Sequence, residues 1–148
     1  MKRTAALFLV VGLFGCGGAP PAKPLPTTVP VSGKVTLNGQ PLADAMVTFR
    51  PDGETKGVDS LGMTNTAGEF SLDQIRGGQG ASPGTYRVTV NRFVAADGKP
   101  VVLDAATPPA DAGAVESLPA KYSSAGETTL KATVAQTGND GLKFELKK

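Results

Sequence analysis

From Val31 onward the chain alternates apolar and polar positions in short runs separated by turn residues. A period of two places successive side chains on opposite faces of an extended chain, so each run predicts a strand with one buried face. Val31, Gly33, Val35 and Leu37 share one face against Ser32, Lys34 and Thr36, and Asn38-Gly39 supplies the positive φ angles of a tight turn. Ala45, Val47 and Phe49 then alternate with Met46, Thr48 and Arg50 before the turn Pro51-Asp52-Gly53. Two short strands, 61–65 and 69–72, flank Thr66-Ala67-Gly68 and read as a hairpin with Phe70 and Leu72 inward. Ser82-Pro83-Gly84 launches a strand with Tyr86, Val88 and Val90 on one face, the pattern expected of a central strand. At the C-terminal end Leu130, Ala132 and Val134, the turn residues 138–141, and Leu142, Phe144 and Leu146 read as a closing hairpin. Long helical periodicity is missing. Residues 31–148 therefore predict an all-β Greek-key sandwich of about seven strands.

The stretch 93–127 breaks this rhythm. Its only strand-like run is Val101-Val102-Leu103, and connections longer than about fifteen residues are commonly functional or disordered. Ala105 to Ala114 lacks aromatic and basic residues and is expected to be disordered, whereas Leu118-Pro119-Ala120-Lys121-Tyr122 is expected to dock back on the sandwich.

Ahead of the first strand the pattern changes to two polar-apolar blocks. Met1-Lys2-Arg3 is basic, and Ala5 to Gly15 is an unbroken apolar run. That run is shorter than the roughly 18 to 20 residues a membrane-spanning helix needs, so residues 1–15 read as a secretory signal peptide. Leu13-Phe14-Gly15-Cys16 resembles a bacterial lipobox. The resemblance implies cleavage before Cys16, a diacylglyceryl group on its sulfur and acylation of the new N-terminus. Two or three acyl chains anchor stably where one does not. Gly17 stands where enteric lipoproteins retained at the inner membrane carry Asp, which favours the outer membrane. Residues 17–30 hold five prolines and one charge, a composition suited to an extended tether reaching roughly 40 Å at about 3.1 Å per residue. The expected organisation is a signal peptide (1–15), a lipidated cysteine with a Pro-rich linker (16–30) and one β-domain (31–148).

Composition then narrows the chemistry. The chain has no His, and Cys16 is its only Cys. Histidine-based nucleophiles and imidazole metal sites are therefore excluded, as is any disulfide within the domain. An enzyme is not expected, and no cofactor is. Loss of Lys2 and Arg3 with the signal leaves 13 basic residues against 13 acidic ones, with no basic stripe for nucleic acid. Asp52, Glu54 and Asp59 lie close enough in sequence to suggest oxygen ligands for Ca²⁺, but they lack the EF-hand spacing and read as a solvated acidic loop. Two Tyr and six Phe leave few aromatics for stacking on sugars, so carbohydrate or small-ligand binding is the alternative rather than the leading function.

Three segments in order, SGKVTLNGQPLADAMVTFRPDG, MTNTAGEFSL and SPGTYRVTV, resemble the carboxypeptidase regulatory-like domain, a transthyretin-like β-sandwich. Gly33, Val35, Asn38-Gly39, Pro41-Leu42, Ala45, Val47 and Phe49 match its opening hairpin. Thr64, Gly68 and Phe70 match its second motif, and Gly84, Tyr86, Val88 and Val90 its G-x-Y-x-V strand. Asn65 replaces the usual Asp and is expected to keep the turn-capping role. The resemblance implies a non-catalytic interaction or structural module with no catalytic residues to carry over. Together with the lipobox it implies partners in the membrane and in another envelope protein or the cell-wall glycan.

Overall fold

The computed structural model describes residues 27–103 and 107–148. Residues 1–15, Cys16 and the linker up to residue 26 lie outside the described residues, as do residues 104–106. Eleven strand segments occur among the described residues, four of them only two residues long, so the count exceeds the seven runs marked by alternation. They are β1 Val31–Leu37, β2 Gln40–Pro41, β3 Met46–Pro51, β4 Ser60–Met63, β5 Glu69–Ser71, β6 Asp73–Gln74, β7 Gly84–Asn91, β8 Phe93–Val94, β9 Val115–Glu116, β10 Lys131–Val134 and β11 Asn139–Leu146. A single helical turn, α1 Ala120–Ser123, lies between β9 and β10.

The first sheet is centred on β1. β11 runs parallel to it on one side, and β2 and β5 share its other side in antiparallel register. The second sheet has the order β10-β7-β3-β4-β6, all antiparallel. β7 is a central strand, as its alternation predicts.

The inner faces of the two sheets meet in one core. Val35, Phe70, Phe144 and Leu146 come from the first sheet and Val47, Phe49, Tyr86, Val88 and Val90 from the second. Phe49 sits at the centre, with ring centroids 5.6 Å from Tyr86, 6.1 Å from Phe144 and 6.4 Å from Phe70. Such tilted and edge-on pairs add to what area burial alone contributes. Gly33 is required by this packing. A Cβ there would stand 2.5 Å from the Leu142 carbonyl oxygen and 2.7 Å from the Phe70 ring. Asn38 and Gly39 form the tight turn between β1 and β2, with φ of 50° and 81°.

Two expected hairpins are not hairpins. β10 pairs with β7 in the second sheet while β11 pairs in parallel with β1 in the first, so the turn ending at Gly138 crosses from one layer to the other. The 61–65 and 69–72 strands divide in the same way: β4 pairs with β3 and β6, whereas β5 pairs with β1. Alternation fixes which face of a strand is apolar, and both arrangements bury that face. The Asn65 side chain caps the crossing, its Oδ1 accepting the N–H groups of Ala67 and Glu69 at 2.9 Å each.

The folded body takes up the chain just ahead of β1. Val29 exchanges two backbone hydrogen bonds with Ala81, at 2.9 and 3.1 Å, and Pro30 accepts from the Asn139 N–H at 3.0 Å. The chain thus enters beside the Gly84 end of β7.

The two tyrosine phenols, both buried, are shifted in opposite directions. Burial raises the Tyr86 phenol above the ordinary 10.0, although its hydroxyl donates to the Ser82 carbonyl at 2.7 Å. The Lys147 N–H donating to the Tyr122 oxygen at 3.1 Å lowers that phenol, helped by the Lys121 ammonium 4.9 Å from the ring centroid. With two Tyr and no Trp in the chain, alkaline absorbance titration reads them directly. Two steps are expected, Tyr122 below pH 10 and Tyr86 above it, and Tyr122→Phe removes the first. One step at the ordinary value would contradict these environments. Because the folded pKa of Tyr86 is raised, its contribution to stability is complete below the unfolded value near 10 and is lost as pH rises through the folded one.

Candidate functional site: an apolar tip opposite the chain entry

The segment 93–127 builds a tip on the Asn91 end of β7. β8 pairs with β9 on one side, bridges Pro100 through Val94 on the other, and accepts the Val101 N–H at the Phe93 carbonyl at 2.9 Å. The turn between β8 and Pro100 is held by Asp97, which accepts the Lys99 N–H at 3.0 Å and faces its ammonium at 2.9 Å. Those two contacts hold the Asp97 carboxyl below the usual carboxylate range.

Glu116 ties the tip to the sandwich. Its carboxylate accepts from Asn91 Nδ2 at 2.8 Å, the Arg92 N–H at 3.1 Å and the Leu118 N–H at 2.9 Å. Ser117 donates from both its N–H and its hydroxyl to the Arg92 carbonyl, and Arg92 Nε donates to the Ala43 carbonyl at 3.1 Å. Beyond them Leu118 and Tyr122 drop into the core, the docking expected of that segment. The expected disorder of Ala105 to Ala114 does not extend over residues 107–114. Pro108, Pro109 and Ala110 carbonyls accept from residues 111–114, closing successive turns, and Ala114 is buried.

What this scaffold presents is apolar. Met46, Met63, Phe93, Val101, Val102 and Leu103 line one shallow depression with Asp44 and Asn91 at its margin. Val102 and Val115 are each 65% exposed and Met63 44%, although burial of such side chains is the norm. The depression holds only about 20 Å³, too little for a small molecule. Sequence reasoning marked only Val101-Val102-Leu103 here. Met46 and Met63 gave no signal of their own, because they sit on the polar side of their strands.

Two larger clefts are open to solvent. One, of about 580 Å³, lies where the chain enters, with Thr27, Val29, Glu54, Thr55, Ser82 and Gln136 along it. Beneath it Ser82 Oγ accepts from Gln74 Nε2 at 3.2 Å, and buried Ser60 Oγ and Gln74 Oε1 have no partner. The other cleft, of about 590 Å³, crosses the outer face of the first sheet between Ser32, Lys34, Asn65, Glu69, Ser71 and Lys143.

Of the three acidic residues considered for Ca²⁺, Asp52 and Asp59 face arginines. Asp52 Oδ1 lies 3.5 Å from Arg87, and Asp59 Oδ2 accepts from Arg50 Nε and Nη2 at 3.2 Å. No group of three or more metal-ligating side chains comes together among the described residues. No described helix is long and apolar enough to cross a membrane. The chain matches no protein-family model, and no curated protein or solved structure is significantly similar to it.

Proposed function

We propose that this chain is a lipid-anchored cell-envelope protein whose β-sandwich is a non-catalytic interaction module. Cys16 carries the anchor, and the apolar tip is offered to another envelope protein. The observation that carries this reading is the polarity of the domain. The chain enters at the Val29–Ala81 bridge, beside Gly84, whereas the tip stands at the Asn91 end of the same strand. An eight-residue strand separates the two by roughly 25 Å at about 3.3 Å per residue. A tether at one end thus leaves the other end free.

The same reading takes the body as a transthyretin-like Greek-key sandwich of the carboxypeptidase regulatory-like kind. Its support is the order of the three motifs and the use of their turn residues, Asn38-Gly39 in a tight turn and Asn65 as a cap. Carbohydrate binding is less favoured because Phe49, Phe70, Tyr86 and Phe144 are spent inside the core.

Anchoring is tested by fractionation. The wild-type protein is expected in the membrane pellet and resistant to high-salt washing, since acyl chains and not charges hold it. Cys16→Ser is expected to abolish lipid labelling and resistance to detergent-free extraction. Wild-type protein in the soluble fraction, or a Cys16→Ser variant that still takes up labelled lipid, would contradict it.

A further inference from the structure

β11 is an edge strand of eight residues, with β1 on one side and no described strand on the other. Along a strand, the N–H and C=O of one residue point to the same side and those of the next residue to the opposite side. Asn38 N–H donates to the Leu146 carbonyl at 2.9 Å, so Leu146, Phe144 and Leu142 turn their backbone toward β1. Lys143, Glu145 and Lys147 turn theirs outward. Lys147 is already satisfied. The Tyr122 hydroxyl accepts from its N–H at 3.1 Å and donates to its carbonyl at 3.3 Å, which closes that end of the edge. Lys143 and Glu145 have no such partner among the described residues, and both side chains are exposed on the outer face.

The charges along this edge are self-complementary. An antiparallel copy of β11 centred on Phe144 sets Lys143 opposite Glu145 of the second chain, and Glu145 opposite its Lys143. Residues with outward backbone then form hydrogen-bonded pairs, about 5.5 Å apart at Cα, each exchanging two bonds. Their side chains lie on one face as two opposite-charge cross-strand pairs. The register within the sheet favours the same arrangement. Lys143 lies beside Lys34 of β1, whose other neighbour in register is Glu69 of β5, and Lys143 has no ion-pair partner among the described residues. A carboxylate arriving beside Lys143 supplies the opposite charge it lacks.

We infer that residues 142–146 of β11 are the interface of a two-fold symmetric dimer, in which a second copy of this chain adds the same stretch antiparallel and joins the two β1-centred sheets, with Tyr122 ending the pairing at Lys147 of each copy. The inference rests on β11 alone and is independent of the anchor and of the tip. Antiparallel pairing leaves the two tips at opposite ends of the joined body.

Charge reversal tests it. The full chain, purified in detergent, is followed by sedimentation over a concentration series, and the wild type is expected to form dimers. Lys143→Glu alone or Glu145→Lys alone sets like charges opposite each other twice and should weaken the dimer about tenfold, the equivalent of about 1.4 kcal/mol. The double exchange Lys143→Glu with Glu145→Lys restores the complementarity and the dimer. Both positions are exposed, so melting curves of all variants should coincide at monomeric concentrations. Carbodiimide coupling of the wild-type dimer should join Lys143 of one copy to Glu145 of the other. A wild type that stays monomeric, single reversals that dimerise as well as the wild type, or a double exchange that fails to recover would each overturn the inference.

Discussion

Val88→Asp is expected to leave the protein unable to fold. Val88 is completely buried in β7 and lies opposite Phe49 of β3 in the centre of the second sheet. Its surroundings are apolar side chains of both sheets, with no cation among them, so the carboxylate would be desolvated without a partner. A typical domain is stable by only about 5–15 kcal/mol, and an unpaired buried charge consumes much of that or is protonated at similar cost. Far-ultraviolet circular dichroism should show no cooperative thermal transition. A cooperative melt near that of the wild type would mean that β7 does not run through the core.

Phe49→Ala should destabilise without abolishing the fold, by about 3–5 kcal/mol. The ring touches aromatic partners from both layers, Phe70 and Phe144 on one side and Tyr86 on the other. Truncation therefore removes contacts between sheets as well as area, and flanking strands paired on both edges cannot collapse into the space. Chemical denaturation should give a lower midpoint with an unchanged slope, and Phe49→Leu should recover part of the loss. A loss under about 1 kcal/mol would show that the two sheets are not held together at this point.

The inward faces of the strands were legible because alternation is a local property. Val35, Val47, Phe49, Tyr86, Val88, Val90, Phe144 and Leu146 all fall on the faces that period two marks, and all are buried. Strand partners were less legible. β10 and β11 follow one another through a short turn, the usual sign of a hairpin, yet the apolar face of each is equally well buried from opposite layers. What decides for the crossing is distant in sequence: Asn139 N–H donates to Pro30 and Asn38 N–H to Leu146, closing β11 onto β1. No local pattern carries a parallel pairing between the first strand and the last.

The tip was the least legible part. The 107–127 segment has little periodicity, and its order comes from polar groups reaching back to β7 and its sequel, chiefly Glu116 to Asn91, Arg92 and Leu118. A glutamate among alanines and serines looks like an ordinary solvated charge until its partners are known. Of the segment, only Leu118 and Tyr122 announced themselves, being the large apolar residues in an otherwise small and polar stretch.

The proposed role requires the tip to meet another protein while the chain is anchored. The direct measurement is photo-cross-linking in living cells from a benzophenone side chain at Val102, beside the same probe at Glu54 near the chain entry. Both variants are made with Cys16 and with Cys16→Ser. An adduct with a different protein is expected from Val102 only, lost when Cys16 is replaced. No adduct from Val102, or the same adduct from both positions regardless of Cys16, would contradict it.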